Sequence, residues 1–132
     1  MNSAMKNYFI IIDDDQLNNM ICSRIIDLTL PGSGISTFTS PENGVDYLSS
    51  NYITPRDNPA ILVLDINMPS LTGWDVLDKI SAFPERVKEN LKIYMLSSSV
   101  DQQDKEKAGN HPLVSGYVTK PLSKVKLMAI FD

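Results

Sequence analysis

Four apolar runs, each stopped by a polar residue, constrain this chain more than anything else in it. They are Tyr8-Phe9-Ile10-Ile11-Ile12 before Asp13-Asp14, Ala60-Ile61-Leu62-Val63-Leu64 before Asp65, Leu91-Lys92-Ile93-Tyr94-Met95-Leu96 before Ser97, and Gly116-Tyr117-Val118-Thr119 before Lys120-Pro121. Each reads as a buried strand, the pattern of a parallel sheet covered by helices on both faces. In such an open sheet, functional groups gather outside the carboxyl ends of the strands. That rule brings three carboxylates, a hydroxyl and an ammonium to one sheet edge. No single run is diagnostic, but four together are.

Helical patterns fill the intervals. A helix is expected from about Gln16 to Leu28, with Leu17, Met20, Ile21, Ile25 and Leu28 at helical spacing and Asp14 or Asp15 as its cap. Leu30-Pro31-Gly32-Ser33-Gly34 stops it. Ile35 to Phe38 alternates and suits an edge strand. Ser40-Pro41-Glu42 opens a second helix that turns Val45 and Leu48 inward and ends near Asn51. Tyr52 to Pro59 reads as a loop. A third helix follows Gly73, carrying Trp74, Val76, Leu77 and Ile80, and a short polar turn spans Glu85 to Asn90. Asp101 to Ala108 is a polar helix with few apolar anchors. The last helix runs from about Ser123 to Phe131, with Val125, Leu127, Met128 and Phe131 available for packing. Five strands alternating with five helices predict a doubly wound α/β fold with a parallel sheet and right-handed crossovers.

The 132 residues suffice for one domain with one core, expected over residues 6–132, with residues 1–5 a short tail. A formal net charge of −4 argues against nucleic acid or an anionic membrane as the main partner. Cys22 is the only cysteine, so no internal disulfide forms, and a cytoplasmic setting is expected. No run reaches membrane-spanning length.

The convergent residues suit a particular chemistry. Asp13, Asp14 and Asp65 crowd negative charge that a hard divalent cation such as Mg²⁺ would relieve. Taken alone, Asp13-Asp14-Asp15 fits a solvated helix cap equally well; its position after a buried strand, with Asp65 ending another, favours metal. Asp65 is the candidate nucleophile, because a carboxylate can attack phosphorus and hold the group as an acyl phosphate. Phosphoryl transfer is mostly positioning and charge neutralisation, which Lys120 supplies as a point charge. Ser97 offers a hydroxyl to a phosphoryl oxygen. His111, the only histidine, sits in a Pro-adjacent loop and reads as a surface residue; Cys22 and Trp74 read as packing residues.

Nearly the whole chain resembles the receiver domain of two-component response regulators. The matching stretches are Ile11-Ile12-Asp13-Asp14-Asp15, Leu64-Asp65-Ile66-Asn67-Met68-Pro69 with Gly73, Met95-Leu96-Ser97-Ser98 and Gly116-Tyr117-Val118-Thr119-Lys120-Pro121. The resemblance implies a flavodoxin-like sheet of order 2-1-3-4-5. It implies Asp65 as phosphoacceptor, Asp13 and Asp14 as the acidic pair for Mg²⁺, and Asn67 as a backbone-carbonyl ligand. Ser97 and Tyr117 would be the switch hydroxyl and aromatic, and Lys120 the phosphate-pairing lysine before a cis Pro121. The expected partners are a sensor histidine kinase or a histidine phosphotransfer protein, and an unknown output protein meeting the last two helices and the fifth strand. Asn67 and Ser99, the positions that tune phosphoryl lifetime in this family, are not acidic.

Three other readings compete. A receiver fold that no longer takes phosphate would have lost an acid, the hydroxyl or the lysine, and none is lost. A Mg²⁺-dependent aspartyl phosphohydrolase would carry an acid where Asn67 stands. A nucleotide-binding protein would need a glycine loop after the first strand, where this chain has Asp13-Asp14-Asp15-Gln16. No basic patch suggests DNA binding through this domain. Oligomeric state, and whether the receiver stands alone or belongs to a larger protein, stay open in the sequence.

Overall fold

The computed structural model describes residues 6–52, 58–98 and 101–130. Over these residues the chain runs β1 (Tyr8–Ile12), α1 (Gln16–Thr29), β2 (Gly34–Phe38), α2 (Pro41–Asn51), β3 (Ala60–Asp65), α3 (Gly73–Ser81), α4 (Glu85–Lys88), β4 (Leu91–Ser97), α5 (Gln102–Asn110), β5 (Val114–Thr119) and α6 (Lys124–Ile130). All strand pairings are parallel, in the order β2-β1-β3-β4-β5. The expected fold and strand order are those found. β3 is central and wholly buried, as its unbroken apolarity demands.

Alternation along the strands divides the core in two. Ile10, Ile12, Leu62, Leu64, Ile93 and Met95 face one layer with Leu48, Val76, Leu77 and Ile80. Phe9, Ile11, Ile61, Val63, Tyr94 and Leu96 face the other with Cys22, Ile26, Leu127 and Ile130. The helix starts follow their caps. Asp15 accepts from the N–H groups of Leu17 and Asn18, and Ser40 from that of Asn43. Thr72 and Asp75 form a reciprocal capping box at α3.

Two expectations about helix faces are corrected. The apolar stripe of α1 faces outward: Leu17 is 63 % exposed, Met20 61 % and Leu28 67 %, with Ile21 also exposed. Of the five expected positions only Ile25 packs against the core, beside the buried Asn18, Asn19, Cys22 and Ile26. The reason is polar. The Asn18 amide donates to the Asp13 carboxylate at 2.7 Å and the Asn19 amide to the Asp13 carbonyl at 2.9 Å, which turns their side of the helix inward. In α6, Leu127 and Ile130 are buried whereas Val125 is 80 % exposed and Met128 is exposed; Phe131 lies outside the described residues.

The sequence also gave no sign of the role of Asn90. Buried at the start of β4, its side-chain amide donates to the carbonyls of Tyr52 (2.7 Å) and Arg86 (3.0 Å), tying the end of α2 to the sheet. Part of the expected loop between Tyr52 and Pro59 lies outside the described residues, but Tyr52 itself is a core residue.

The inverted face of α1 has a measurable consequence. Ile26→Ala should lower unfolding stability by about 2–5 kcal/mol in urea titrations. Leu28→Ser should change it by no more than about 0.5 kcal/mol. The opposite ranking would return the stripe to the core.

Candidate phosphoryl-transfer site

Three strand ends build the site. Asp13 follows β1, Asp65 ends β3 and Lys120 follows β5. Asp13 and Asp65 are both buried, and the Lys120 ammonium lies 3.0 Å from Asp13 Oδ2 and 3.4 Å from Asp65 Oδ1. Asp13 is held on every side. Its Oδ1 accepts from the Asp15 N–H at 2.9 Å, its Oδ2 from Asn18, and its own N–H donates to the Phe38 carbonyl at 3.0 Å. Lys120 is aimed by its backbone, whose N–H donates to the Ser97 carbonyl at 2.7 Å, and the peptide bond to Pro121 is cis.

Asp65 sits against the start of α3. The Gly73 N–H donates to the Ile66 carbonyl at 2.8 Å, and a Cβ on Gly73 would come within 2.6 Å of the Asp65 carbonyl oxygen. Only a residue without a side chain permits that approach.

The electrostatics follow from burial. Desolvation, joined by the charge of Asp13, pushes the Asp65 carboxyl from 3.8 up to about 7, although Lys120 pulls the other way. Burial works against the Lys120 ammonium, but hydrogen bonding and attraction to Asp13 and Asp65 outweigh it and hold its pKa above the usual lysine value. Two buried carboxylates thus face one ammonium, with a third carboxylate, exposed Asp14, beside them. Carboxylate oxygens of Asp13, Asp14 and Asp65 all lie within 4.8 Å of one another, and an all-oxygen, net-negative donor set of this kind suits a hard divalent cation.

Two further expected residues, Ser97 and Tyr117, lie on β4 and β5. Ser97 is buried at the end of β4, one residue past Leu96, which pairs with Asp65. Tyr117 on β5 pairs with Met95 and packs half-buried against the same core layer. Asn67 is exposed just past β3, and Ser99 lies outside the described residues. Asn18 and Asn19 were not legible as site residues. Their one signal was two amides on a helix directly after an acidic cap, where they meet the carboxylate that precedes the helix.

The raised Asp65 pKa sets a pH dependence. Without metal, the folded state binds the proton more tightly than the unfolded chain. Stability is therefore fully present below 3.8, falls as pH rises, and levels off above about 7. Urea midpoints measured in EDTA across that range should show this fall, and Asp65→Asn should flatten it. Equal slopes in the two proteins would contradict the desolvation argument.

Comparisons with known proteins agree with this fold. The family described as response regulator receiver domain matches residues 9–132. A solved two-component response regulator from Cytophaga hutchinsonii superposes with a TM-score of 0.86 at 32% identity, covering 96% of this chain and 94% of that one. A response regulator receiver protein from Dyadobacter fermentans gives 0.83 at 26% identity, covering 94% of each chain. A relative named as the probable transcriptional regulator ycf27 of Galdieria sulphuraria is 28% identical over 98% of this chain, which spans 46% of that protein's length. The chain belongs to the response regulator receiver domain family of two-component signalling.

Proposed function

We propose that this receiver is a phosphoacceptor switch in which Asp65 takes a phosphoryl group from a sensor histidine kinase or a histidine phosphotransfer protein. The observation that carries the reading is the buried Asp65 carboxylate 3.4 Å from the Lys120 ammonium, beside Asp13. An Asp65 oxygen attacks phosphorus, and the bond from phosphorus to the donor's imidazole nitrogen breaks, its electron pair leaving with the imidazole. The product is an acyl phosphate on Asp65, and water later cleaves it to the carboxylate and inorganic phosphate. Lys120 pairs with the incoming phosphoryl oxygens, and Asp13, held by Asn18 and the Asp15 N–H, keeps Lys120 directed at them. Mg²⁺, held by Asp13, Asp14, Asp65 and the backbone carbonyl of Asn67, would neutralise phosphoryl charge. No enzyme family is indicated, and the turnover is the receiver's own phosphorylation and dephosphorylation.

Ser97 and Tyr117 then form the switch, the hydroxyl moving to the phosphoryl group and the ring turning in behind it. Their nearness along paired β4 and β5 supports this, as does α5, which buries Ala108 alone. Trp74 on α3 carries the Lys107 ammonium of α5 at 4.5 Å from its ring centroid, so its fluorescence should follow any shift of that helix.

Incubation with acetyl phosphate and Mg²⁺ should produce a shifted band on a phosphate-affinity gel, absent in EDTA and in Asp65→Asn. A band that persists in the variant would move the acceptor elsewhere. Ser97→Ala should still be phosphorylated while losing most of the Trp74 fluorescence change. A full change in that variant would remove Ser97 from the switch.

A further inference from the structure

Lys126 stands in the first turn of α6 with Lys124, and no acidic residue accompanies them there. A cation at the amino end of a helix faces the positive pole of the helix dipole, so local chemistry disfavours lysine at this position. The compensation lies outside the helix. The Lys126 N–H donates to the Ser123 hydroxyl at 3.2 Å, and the side chain runs back to the turn between β5 and α6. There its ammonium donates to the Thr119 carbonyl at 2.8 Å, to the Thr119 hydroxyl at 3.1 Å and to the Pro121 carbonyl at 3.2 Å. An ammonium has three N–H donors, and the turn offers an acceptor for each. Among the described residues Lys126 ion-pairs with no carboxylate. It lines a groove along β5 with Lys92 and Lys105, but its charged end is engaged at the end of that strand.

The three oxygens flank one residue, Lys120. The peptide unit joining Thr119 to Lys120 is held at both ends: its carbonyl accepts from Lys126 at 2.8 Å, and its N–H donates to the Ser97 carbonyl at 2.7 Å. A peptide unit is planar and rigid, so two opposed hydrogen bonds fix its orientation and the direction in which the next side chain leaves the backbone. The Pro121 carbonyl fixes the chain on the other side of Lys120. This matters because a lysine carries its charge on a flexible four-carbon stem. The Lys120 ammonium reaches Asp13 at 3.0 Å and Asp65 at 3.4 Å from a base held in this way.

We propose that Lys126 is a positioning residue for phosphoryl transfer, clamping the backbone on both sides of Lys120 so that the Lys120 ammonium is already ordered when the phosphoryl oxygens arrive. The inference rests on the receiver reading and adds a residue that acts through the backbone of another.

Lys126→Met keeps the aliphatic stem and removes the ammonium. Phosphorylation by acetyl phosphate with Mg²⁺, followed in time on a phosphate-affinity gel, should slow about tenfold in this variant. In a Lys120→Met background the same substitution should change the remaining rate by less than about twofold, because residues that act through one group are not additive. A lysine with a merely structural role would slow both backgrounds alike. Lys126→Cys should be as slow as Lys126→Met, and should regain most of its rate when bromoethylamine alkylates the new thiol and restores an ammonium at lysine length; Cys22 is buried. Without metal, in EDTA, the Lys120 amide of Lys126→Met should exchange with deuterium about tenfold faster by NMR, while that of Leu62 in central β3 stays unchanged. An unchanged phosphorylation rate in Lys126→Met, an equal loss in both backgrounds, failure of the alkylation to restore the rate, or unchanged Lys120 exchange would overturn the proposal. Slow phosphorylation of Lys120→Met beside an unaffected Lys126→Met would remove the clamp alone. Phosphorylation indifferent to Asp65→Asn and to Lys120→Met would remove the receiver reading and the clamp together.

Discussion

One ammonium shared between two buried carboxylates is the constraint around which this molecule is arranged. Asp13 and Asp65 belong to neighbouring strands in the sheet, and Lys120 comes from beyond β4, so the contact spans the sheet from β1 to β5. Burying such charges is expensive, and breaking a buried pair leaves one member uncompensated. The surroundings answer that cost with hydrogen bonds: Asn18 and Asp15 hold the Asp13 carboxylate, and the Ser97 carbonyl holds the backbone of Lys120.

The surplus negative charge sets the electrostatics of the site. With one lysine between two buried acids among the described residues, Asp65 is held as a reluctant carboxylate, its pKa lifted by desolvation first and by Asp13 second. A site in that condition gains when positive charge arrives.

Local geometry extends the same logic outward. Gly73 allows α3 to start against the carbonyl of Asp65, and Gly116 allows the Tyr94 ring to lie on β5. Strand β5 therefore leads into Lys120 at one end and carries a groove with three lysines along its length. The exposed apolar residues of α1 lie on the helix that begins directly after the acid cluster.

Strand identity, strand order and the gathering of Asp13, Asp14, Asp65, Ser97 and Lys120 at one edge were all legible in the sequence. Unbroken apolar runs can be satisfied only inside a covered parallel sheet, and such a sheet collects its strand ends in one place. Which face of α1 turns inward was not legible. Periodicity pointed to Leu17, Ile21 and Leu28, yet hydrogen bonds from Asn18 and Asn19 to Asp13 rotate the helix the other way. The bridge from Asn90 to Tyr52 and the meeting of Lys92, Lys105 and Lys126 in one groove were likewise invisible, because each joins residues far apart in the chain. Hydrophobic pattern is a local property and determines elements by itself. The partners of buried polar groups are chosen only when the sheet has brought distant segments together.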